Sequence, residues 1–409
     1  MKIAIIGLGY VGLVTALVLA DSGNIVVGID IDKEKIYSLK SGNLTIFEPG
    51  LDDLYKKVYN KILFSTDYQL IKDSDLVYLI VPTPTENGKI NLKYIFDAAE
   101  NVKKIDQNAK IVIKSTVVPG TANIVHEKTG LLIISNPEFT KEGTAVEDTK
   151  HPDRVIIGGT DNESIGIVEK LWSFTKAPII KTTNENAELI KYASNSFLAT
   201  KISFINELAN LCEAVPNADV EVVAKGMGLD KRIAPYFLRA GIGYGGSCFP
   251  KDTRAIASFA RSLGEPLSIV EATIAVNEKR VDRIFEIIKS LSSSGKEEKI
   301  GVLGISFKND TNDVRESQAL KLINKLTKES YKVNAYDPII NKIEGEATLM
   351  PTLDACINAS DILVIATEWE QFKTIKTNKP IIDARRILDP SNPNVTAIGY
   401  RKNRTKTRA

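Results

Sequence analysis

Lys2-Ile3-Ala4-Ile5-Ile6-Gly7-Leu8-Gly9-Tyr10-Val11-Gly12 is the stretch that decides the fold. A strand-length apolar run meets three glycines, and apolar residues at helical spacing follow as far as Ala20. A Gly-x-Gly-x-x-Gly placed between a strand and a helix opens a βαβ unit that cradles a dinucleotide pyrophosphate. Gly7 permits the tight turn, Gly9 lets main chain approach the pyrophosphate, and Gly12 lets the helix pack close to the strand. The helix N-terminus, entered through Tyr10 and Val11, then offers unpaired N–H groups and partial positive charge to the phosphates. The next strand, Ile25–Ile29, ends at Asp30, 18 residues past Gly12. A carboxylate there accepts ribose hydroxyls and repels a 2′-phosphate, so the expected cofactor is NAD. Lys33 and Lys35 temper that repulsion. The basic start and the apolar run to Ala20 also fit a secretory leader, but the glycine spacing and the strand that follows argue against one.

Outward from this turn, short apolar runs alternate with helical patterns to about residue 183, as in a parallel sheet buried on both faces. Further strands are expected at Leu76–Val81, Ile111–Lys114, Leu132–Ser135 and Val155–Ile157. The texture then changes. Leu189, Ile190, Ala193, Phe197, Ile202, Ile205, Leu208 and Leu211 recur at three- and four-residue intervals and predict one long helix over Asn184–Ala214. A second long helix is expected from near Pro266 to Leu291, followed by a linker at Ser292–Gly295. Strand–helix alternation returns with Lys299–Leu303, Lys332–Ala335 and Asp361–Ile365.

Two echoes tie the ends of the chain together. Ser74-Asp75-Leu76-Val77 matches Ser360-Asp361-Ile362-Leu363, and Gly28-Ile29-Asp30 matches Ala335-Tyr336-Asp337. The fold class is therefore α/β: two Rossmann-like, doubly wound parallel-sheet domains, 1–183 and 296–409, joined by a helical middle domain, 184–295, with a long central helix. The basic stretch Arg401–Ala409 reads as a solvated tail.

Composition narrows the function. At roughly 150 residues per domain, 409 residues fit two or three domains. With 53 Lys+Arg against 51 Asp+Glu, the net charge of +2 gives no electrostatic case for nucleic acid. No apolar run reaches the 18 or so residues of a membrane span. Three scattered cysteines and two histidines form neither a disulfide framework nor a metal-ligand pattern, so no metal and a reducing, cytoplasmic setting are expected.

The chemistry concentrates in Gly241-Ile242-Gly243-Tyr244-Gly245-Gly246-Ser247-Cys248-Phe249-Pro250-Lys251-Asp252. Four glycines leave main chain around the sulfur, which would let a substrate come close. Lys251 favours the thiolate, and Asp252 is a candidate base if a helix starts after Pro250. Cys212 and Cys356 fall on apolar helical faces and read as small hydrophobes. Lys191 and Asn195 stand four apart on the long helix, a donor pair for an oxyanion. The loops Val81-Pro82-Thr83-Pro84-Thr85 and Lys114-Ser115-Thr116-Val117-Val118-Pro119-Gly120 follow strands and should face the cofactor. Asn136-Pro137-Glu138-Phe139-Thr140-Lys141-Glu142 offers two carboxylates after another strand.

These motifs, with Phe307-Lys308-Asn309-Asp310 and Arg315-Glu316-Ser317, occur in the order seen in the UDP-glucose/GDP-mannose dehydrogenase family, which the chain resembles over nearly its whole length. The resemblance implies a two-step, four-electron oxidation of a sugar C6 alcohol to a carboxylate with two NAD. It makes Cys248 the nucleophile, Lys191 and Asn195 the oxyanion donors, and Asp252, Glu138 and Thr116 the groups that position or activate base and water. It puts Asp30, Lys35, Thr83, Thr116, Glu142, Lys251 and Arg315 on NAD. It gives the nucleotide sugar to Glu138, Phe139, Thr140, Lys141, Glu142, Lys191, Asn195, Phe237, Leu238, Arg239, Ala240, Gly241, Gly245 and Lys308. Arg232 would reach the site of a neighbouring subunit, in a homodimer or larger homo-oligomer built on the central helices. The sugar stays open among UDP-glucose, GDP-mannose and UDP-N-acetylhexosamines. A β-hydroxyacid-type dehydrogenase, which needs no cysteine, and a silent NAD-binding protein are the rival readings.

Overall fold

The computed structural model describes residues 1–401 apart from Asn87, Ser293 and Ser294. The chain divides into two compact units, Met1–Ser194 and Asn195 onward. In chain order the first unit begins β1 (Lys2–Ile6), α1 (Tyr10–Asp21), β2 (Ile25–Ile29), α2 (Lys33–Lys40), α3 (Leu51–Val58), β3 (Ile62–Ser65) and β4 (Leu76–Leu79). It continues through the small hairpin β5 (Thr85–Glu86) and β6 (Lys89–Ile90), then α4 (Lys93–Ile105), β7 (Lys110–Ile113), α5 (Thr121–Thr129) and β8 (Leu132–Ser135). It closes with α6 (Ala145–Lys150), β9 (Val155–Gly158), α7 (Asn162–Trp172) and β10 (Ile179–Thr182), which lead into α8 (Asn184–Ala214).

Eight of these strands form one sheet in the order β10-β9-β8-β7-β4-β1-β2-β3. Its two faces carry separate apolar cores, one under α1, α3 and α7, the other under α4 and α5. Pairing is parallel except where β9 meets β8, which it contacts antiparallel at Ser135 and Gly158. Between those strands the chain forms the six-residue helix α6, and the strand at Val155 runs back against β8.

The second unit continues α8 and adds α9 (Val220–Gly228), α10 (Phe249–Ser262) and α11 (Ser268–Leu291). Next come β11 (Lys299–Leu303), α12 (Gln318–Lys328), β12 (Lys332–Tyr336), β13 (Thr348–Leu349), α13 (Leu353–Ala359), β14 (Ile362–Ile365), β15 (Ile381–Asp383) and β16 (Val395–Ala397). The second sheet has the order β13-β12-β11-β14-β15-β16, and every pairing is parallel. Ile205, Ala209 and Cys212 of α8, Val220 and Ala224 of α9, and Val281, Ile284 and Ile288 of α11 share one core with this sheet. Helices α8, α9 and α11 thus pack on the second sheet, each through one face. Pro266 stands just ahead of α11, whose N-cap is Leu267. Of the tail, Arg401 donates from Nη1 to the Ala214 carbonyl at 2.8 Å, and residues 402–409 lie outside the described residues.

The echoes in sequence are echoes in bonding. Asp75 joins its main-chain N–H to Lys2 O and its carboxylate to Lys2 N; Asp361 does the same with Lys299. Gly7 N–H donates to Ile29 O while Leu8 N–H donates to Asp30 Oδ2; Gly304 N–H donates to Tyr336 O while Ile305 N–H donates to Asp337 Oδ2. Among the described residues no helix is long and apolar enough to cross a membrane.

Candidate active site

The glycine turn of the first unit has the shape a dinucleotide needs. Gly7 has φ +96°, and a Cβ there would stand 2.3 Å from Ile80 O. A Cβ on Gly12 would stand 1.8 Å from Gly7 O, so both glycines are required by packing. Gly9, by contrast, faces open space, is the N-cap of α1 and has no side-chain cap. No acidic residue lies in the first turn of α1, so nothing competes with an incoming phosphate. Asp30 is buried; it accepts Leu8 N and Lys35 Nζ on Oδ2 at 2.8 and 2.9 Å and Asp32 N on Oδ1 at 3.0 Å. A carboxylate has about four acceptor places, so roughly one is left for a ribose hydroxyl, with the Lys35 ammonium beside it as a donor. These residues fit NAD.

Tyr10 is turned to another task than its place in the glycine motif suggests. Its hydroxyl donates to Glu48 Oε2, and Glu48 also accepts Gly143 N at 2.7 Å and Ala145 N at 2.6 Å. Glu48, buried in an irregular loop, had no periodicity or spacing to mark it in the sequence. Thr83 Oγ1 donates to Thr116 O at 2.8 Å, joining the loops that follow β4 and β7.

Beyond β8, Glu138 is buried. Its Oε2 accepts Thr140 N and Oγ1 at 2.6 and 2.8 Å, and its Oε1 accepts Lys191 Nζ at 2.8 Å. Burial pushes the Glu138 carboxyl up, but the Lys191 charge and these hydrogen bonds more than offset it and hold it below its usual range. Phe139 is stacked under the Arg154 guanidinium at 3.7 Å, with Lys191 Nζ 5.3 Å from its centroid. Lys141 pairs with Asp148, and Glu142 is half-buried. Lys114, which opens the loop expected to face the cofactor, is buried over the Trp172 ring at 4.6 Å and lines a pocket with Glu138, Phe139 and Arg154. Burial pushes its ammonium down to about 8.

In the second unit Cys248 is the N-cap of α10, with Phe249 and Pro250 as the first helical residues. The half-buried sulfur therefore lies where a helix favours negative charge, which promotes the thiolate. Burial pushes the Cys212 thiol up, and pushes that of Cys356 up to about 12, which keeps both protonated. Asp252 is fully buried on the first turns of α10. Its Oδ2 accepts Asn195 Nδ2 at 2.6 Å and its Oδ1 accepts Lys251 Nζ at 2.5 Å. The Asn195 amide and the Lys251 ammonium are thus both turned toward this carboxylate.

The glycines before Cys248 are explained by protein rather than by ligand. A Cβ on Gly245 would stand 2.5 Å from Glu316 O, and one on Gly246 would stand 2.8 Å from the Phe307 ring. Between residues 237 and 240 burial alternates: Leu238 and Ala240 are buried in the core, while Phe237 is half-buried against the Phe249 ring and Arg239 is exposed. Leu238 and Ala240 therefore have only main chain to offer a sugar. Arg315 is held by Asp313 through two guanidinium nitrogens, and its carbonyl accepts Gly246 N–H at 2.9 Å. Lys308 Nζ lies 5.8 Å from the Phe307 centroid. Arg232 is 90% exposed and paired with Asp230. One cation that sequence reasoning missed, Arg385, pairs with Glu368 at 3.2 Å and donates to Ala366 O. Burial pushes Glu368 up, yet the charges of Arg385, Arg239 and Lys308 overcome that and hold it low. Three cations around one carboxylate suit a diphosphate.

Comparison with known proteins agrees with this reading. Residues 1–176 match the NAD binding domain of the UDP-glucose/GDP-mannose dehydrogenase family, 185–279 its central domain and 301–390 its UDP binding domain. The chain is 42% identical to a UDP-glucose 6-dehydrogenase of Bacillus subtilis (strain 168), over 98% of this chain and 92% of that one. It is 40% identical to a UDP-glucose 6-dehydrogenase of Rhizobium meliloti (strain 1021), over 92% and 91%. A UDP-glucose dehydrogenase structure from Pyrobaculum islandicum superposes with a TM-score of 0.91 at 32% identity, covering 98% of this chain and 96% of that one. With all three domains matched in order along one polypeptide, the protein belongs to the UDP-glucose/GDP-mannose dehydrogenase family.

Proposed function

We propose that this protein is a UDP-glucose 6-dehydrogenase, oxidising C6 of UDP-glucose to the carboxylate of UDP-glucuronate. The sugar is inferred from relatives about 40% identical that are UDP-glucose 6-dehydrogenases. The observation that carries the chemistry is Cys248 at the N-terminus of α10, with Asn195 and Lys251 bonded to the carboxylate of Asp252 one helical turn behind it. The Gly7–Gly12 turn and Asp30 would hold NAD, which when bound would supply the hydride acceptor for the two oxidations.

The protein's residues supply the rest. After the first oxidation the Cys248 thiolate adds to the C6 aldehyde, forming the C–S bond, while its oxygen takes up a proton and C6 becomes tetrahedral. The second oxidation leaves a thioester on Cys248. Water then adds to that carbonyl, the C–S bond breaks, and the carboxylate leaves with the thiolate restored. Lys191 and Asn195 are the donors we assign to the oxygen that carries negative charge at the tetrahedral stages, a stabilisation worth about 3–4 kcal/mol per well-placed donor. Glu138 and Thr116 orient the water, and Asp252 fixes Asn195 and Lys251. Lys35, Thr83, Glu142, Lys251 and Arg315 complete the cofactor site. Lys308 and Arg239, joined here by Arg385, receive the diphosphate, and the main chain of 237–245 receives the sugar nucleotide.

We read the chain as three working segments, 1–183, 184–295 and 296–409. Along α8, Phe197, Phe204 and Leu211 are 66, 47 and 57% exposed at seven-residue spacing, an apolar stripe suited to a second copy of the chain. Arg232 would then serve that copy's site.

The decisive experiment measures NADH released per uronate formed across UDP-glucose, GDP-mannose and UDP-N-acetylhexosamines. Two per sugar, highest with UDP-glucose, is expected. One per sugar moves the reading to a single-step dehydrogenase. Cys248→Ser should nearly abolish formation of the acid, and full turnover to acid by that variant would reject the nucleophile.

A further inference from the structure

We propose that Arg280 is a positioning residue for the sugar site: with Asn206, Asn277 and Gln318 it fixes the main chain of residues 241–244, the segment that leads to Cys248. This rests on the reading of that segment as part of the nucleotide-sugar site. The segment belongs to neither sheet, yet residues 241–246 are all buried. Its main-chain polar groups need partners, and side chains from three helices provide them. Gly241 N–H donates to Asn206 Oδ1 of α8 at 2.8 Å, and Gly241 O accepts Arg280 Nε of α11 at 3.0 Å. Tyr244 N–H donates to Asn277 Oδ1 of α11 at 2.8 Å. Tyr244 O accepts both Asn277 Nδ2 at 3.0 Å and Gln318 Nε2 of α12 at 2.7 Å. Between them Gly243 has φ +114°, and a Cβ there would stand 2.7 Å from Asn277 Oδ1. Residues 241 and 244 are thus gripped on both polar groups, and the glycine between them is needed for the grip to close.

Neutral amides suffice for Tyr244; Gly241 is given a charge. Arg280 is 1% exposed. Its Nη1 donates to Asn210 Oδ1 at 2.7 Å and to Asn206 O at 3.4 Å, so its partners are carbonyl and amide oxygens, not a carboxylate. Glu213 and Arg283 are the charged groups that act on it, and they are bonded to each other. A cation buried without a carboxylate is costly and calls for compensation. A loop that receives a diphosphate-bearing sugar supplies it, since a fixed positive charge behind the loop stabilises negative charge in front of it.

The test uses the full-length enzyme carrying Arg280→Lys, Arg280→Gln or Gln318→Leu. The readouts are steady-state kinetics with NAD and UDP-glucose, and the rate of Cys248 alkylation by iodoacetamide, read by mass spectrometry without ligands. Leu326→Ala, a fully buried core residue of the same unit, is the control for general destabilisation. We expect both Arg280 variants to raise KM for the sugar at least tenfold, to leave KM for NAD within twofold, and to change the alkylation rate at least threefold. Lys, keeping the charge but not the fork, should recover part of the KM and none of the alkylation rate. Gln318→Leu should shift alkylation in the same direction, which keeps the test open if Arg280→Gln does not fold. KM and alkylation within twofold of the parent in Arg280→Lys would overturn the proposal, as would an equal KM rise in Leu326→Ala at equal loss of Tm. A changed alkylation rate without turnover on any nucleotide sugar would support the clamp and overturn the sugar reading instead.

Discussion

Lys191 Nζ stands 2.8 Å from Glu138 Oε1, and the two side chains are only 4 and 6% exposed. Removing one partner strands the other's charge in the interior, at a cost of about 3–5 kcal/mol. Lys191→Met should therefore lose both turnover and that much stability in urea melts. Because the folded Glu138 carboxyl lies below its ordinary value of 4.5, it contributes stability that is complete above that value and is lost as pH falls through the folded one. Glu138→Gln should flatten the decline of stability below about pH 4.5; an unchanged acid limb would contradict the pairing.

Lys114 gives the opposite sign. Burial, helped by Lys191 and resisted by Glu138, takes its ammonium from 10.5 down to about 8. A base with a depressed folded pKa weakens the fold fully below about pH 8, and that penalty fades as pH rises toward 10.5. Lys114→Met should be more stable than the parent at pH 7, by up to about 3 kcal/mol, with the gain shrinking toward pH 10. Equal gains at both pH values would show that packing, not charge, is responsible.

At the cofactor turn, Gly12→Ala forces a methyl into the Gly7 carbonyl. NAD affinity measured by calorimetry should fall at least hundredfold, while Cys248 alkylation in the other unit should stay within twofold. Retained NAD affinity would mean that the helix can move away from the strand.

Asp30→Ala removes the acceptor that holds Leu8 N–H and Lys35 Nζ and that repels a 2′-phosphate. The expected outcome is a rise in KM for NAD and roughly a tenfold loss of preference over NADP, since Lys35 is then free to meet that phosphate. A preference that survives intact would place cofactor selection elsewhere.

What the sequence made legible was local. The Gly7–Gly12 turn, the Asp30 strand end and the helix over Asn184–Ala214 are each specified by residues close together in the chain, and each stands where the spacing put it. Cys248 was legible for the same reason, though the glycines around it were misread: their room goes to Glu316 O and the Phe307 ring, more than 60 residues away in sequence. Glu48, Arg280 and Arg385 were missed because their meaning comes from distant partners. Glu48 meets Gly143 at a separation of 95 residues and Arg280 meets Gly241 at 39. The short strands β13, β15 and β16 carry too few residues to show a period. The reversal of β9 is a matter of pairing direction, which the apolar run Val155–Gly158 does not announce.

The twofold bonding scheme has a sequel at Asp337. Where Asp30 keeps capacity for a guest, Asp337 Oδ2 already receives Ile305 N, Ser306 N, Ser306 Oγ and the Trp369 indole N–H, and its Oδ1 receives Ile339 N. One architectural template has been cast twice in this polypeptide, and in the later casting the indole of Trp369 takes up a further acceptor place on the carboxylate. Retiring that carboxylate from recognition frees the second half to bind by its loops alone, so its ligand preference can drift without disturbing the half that holds the redox partner.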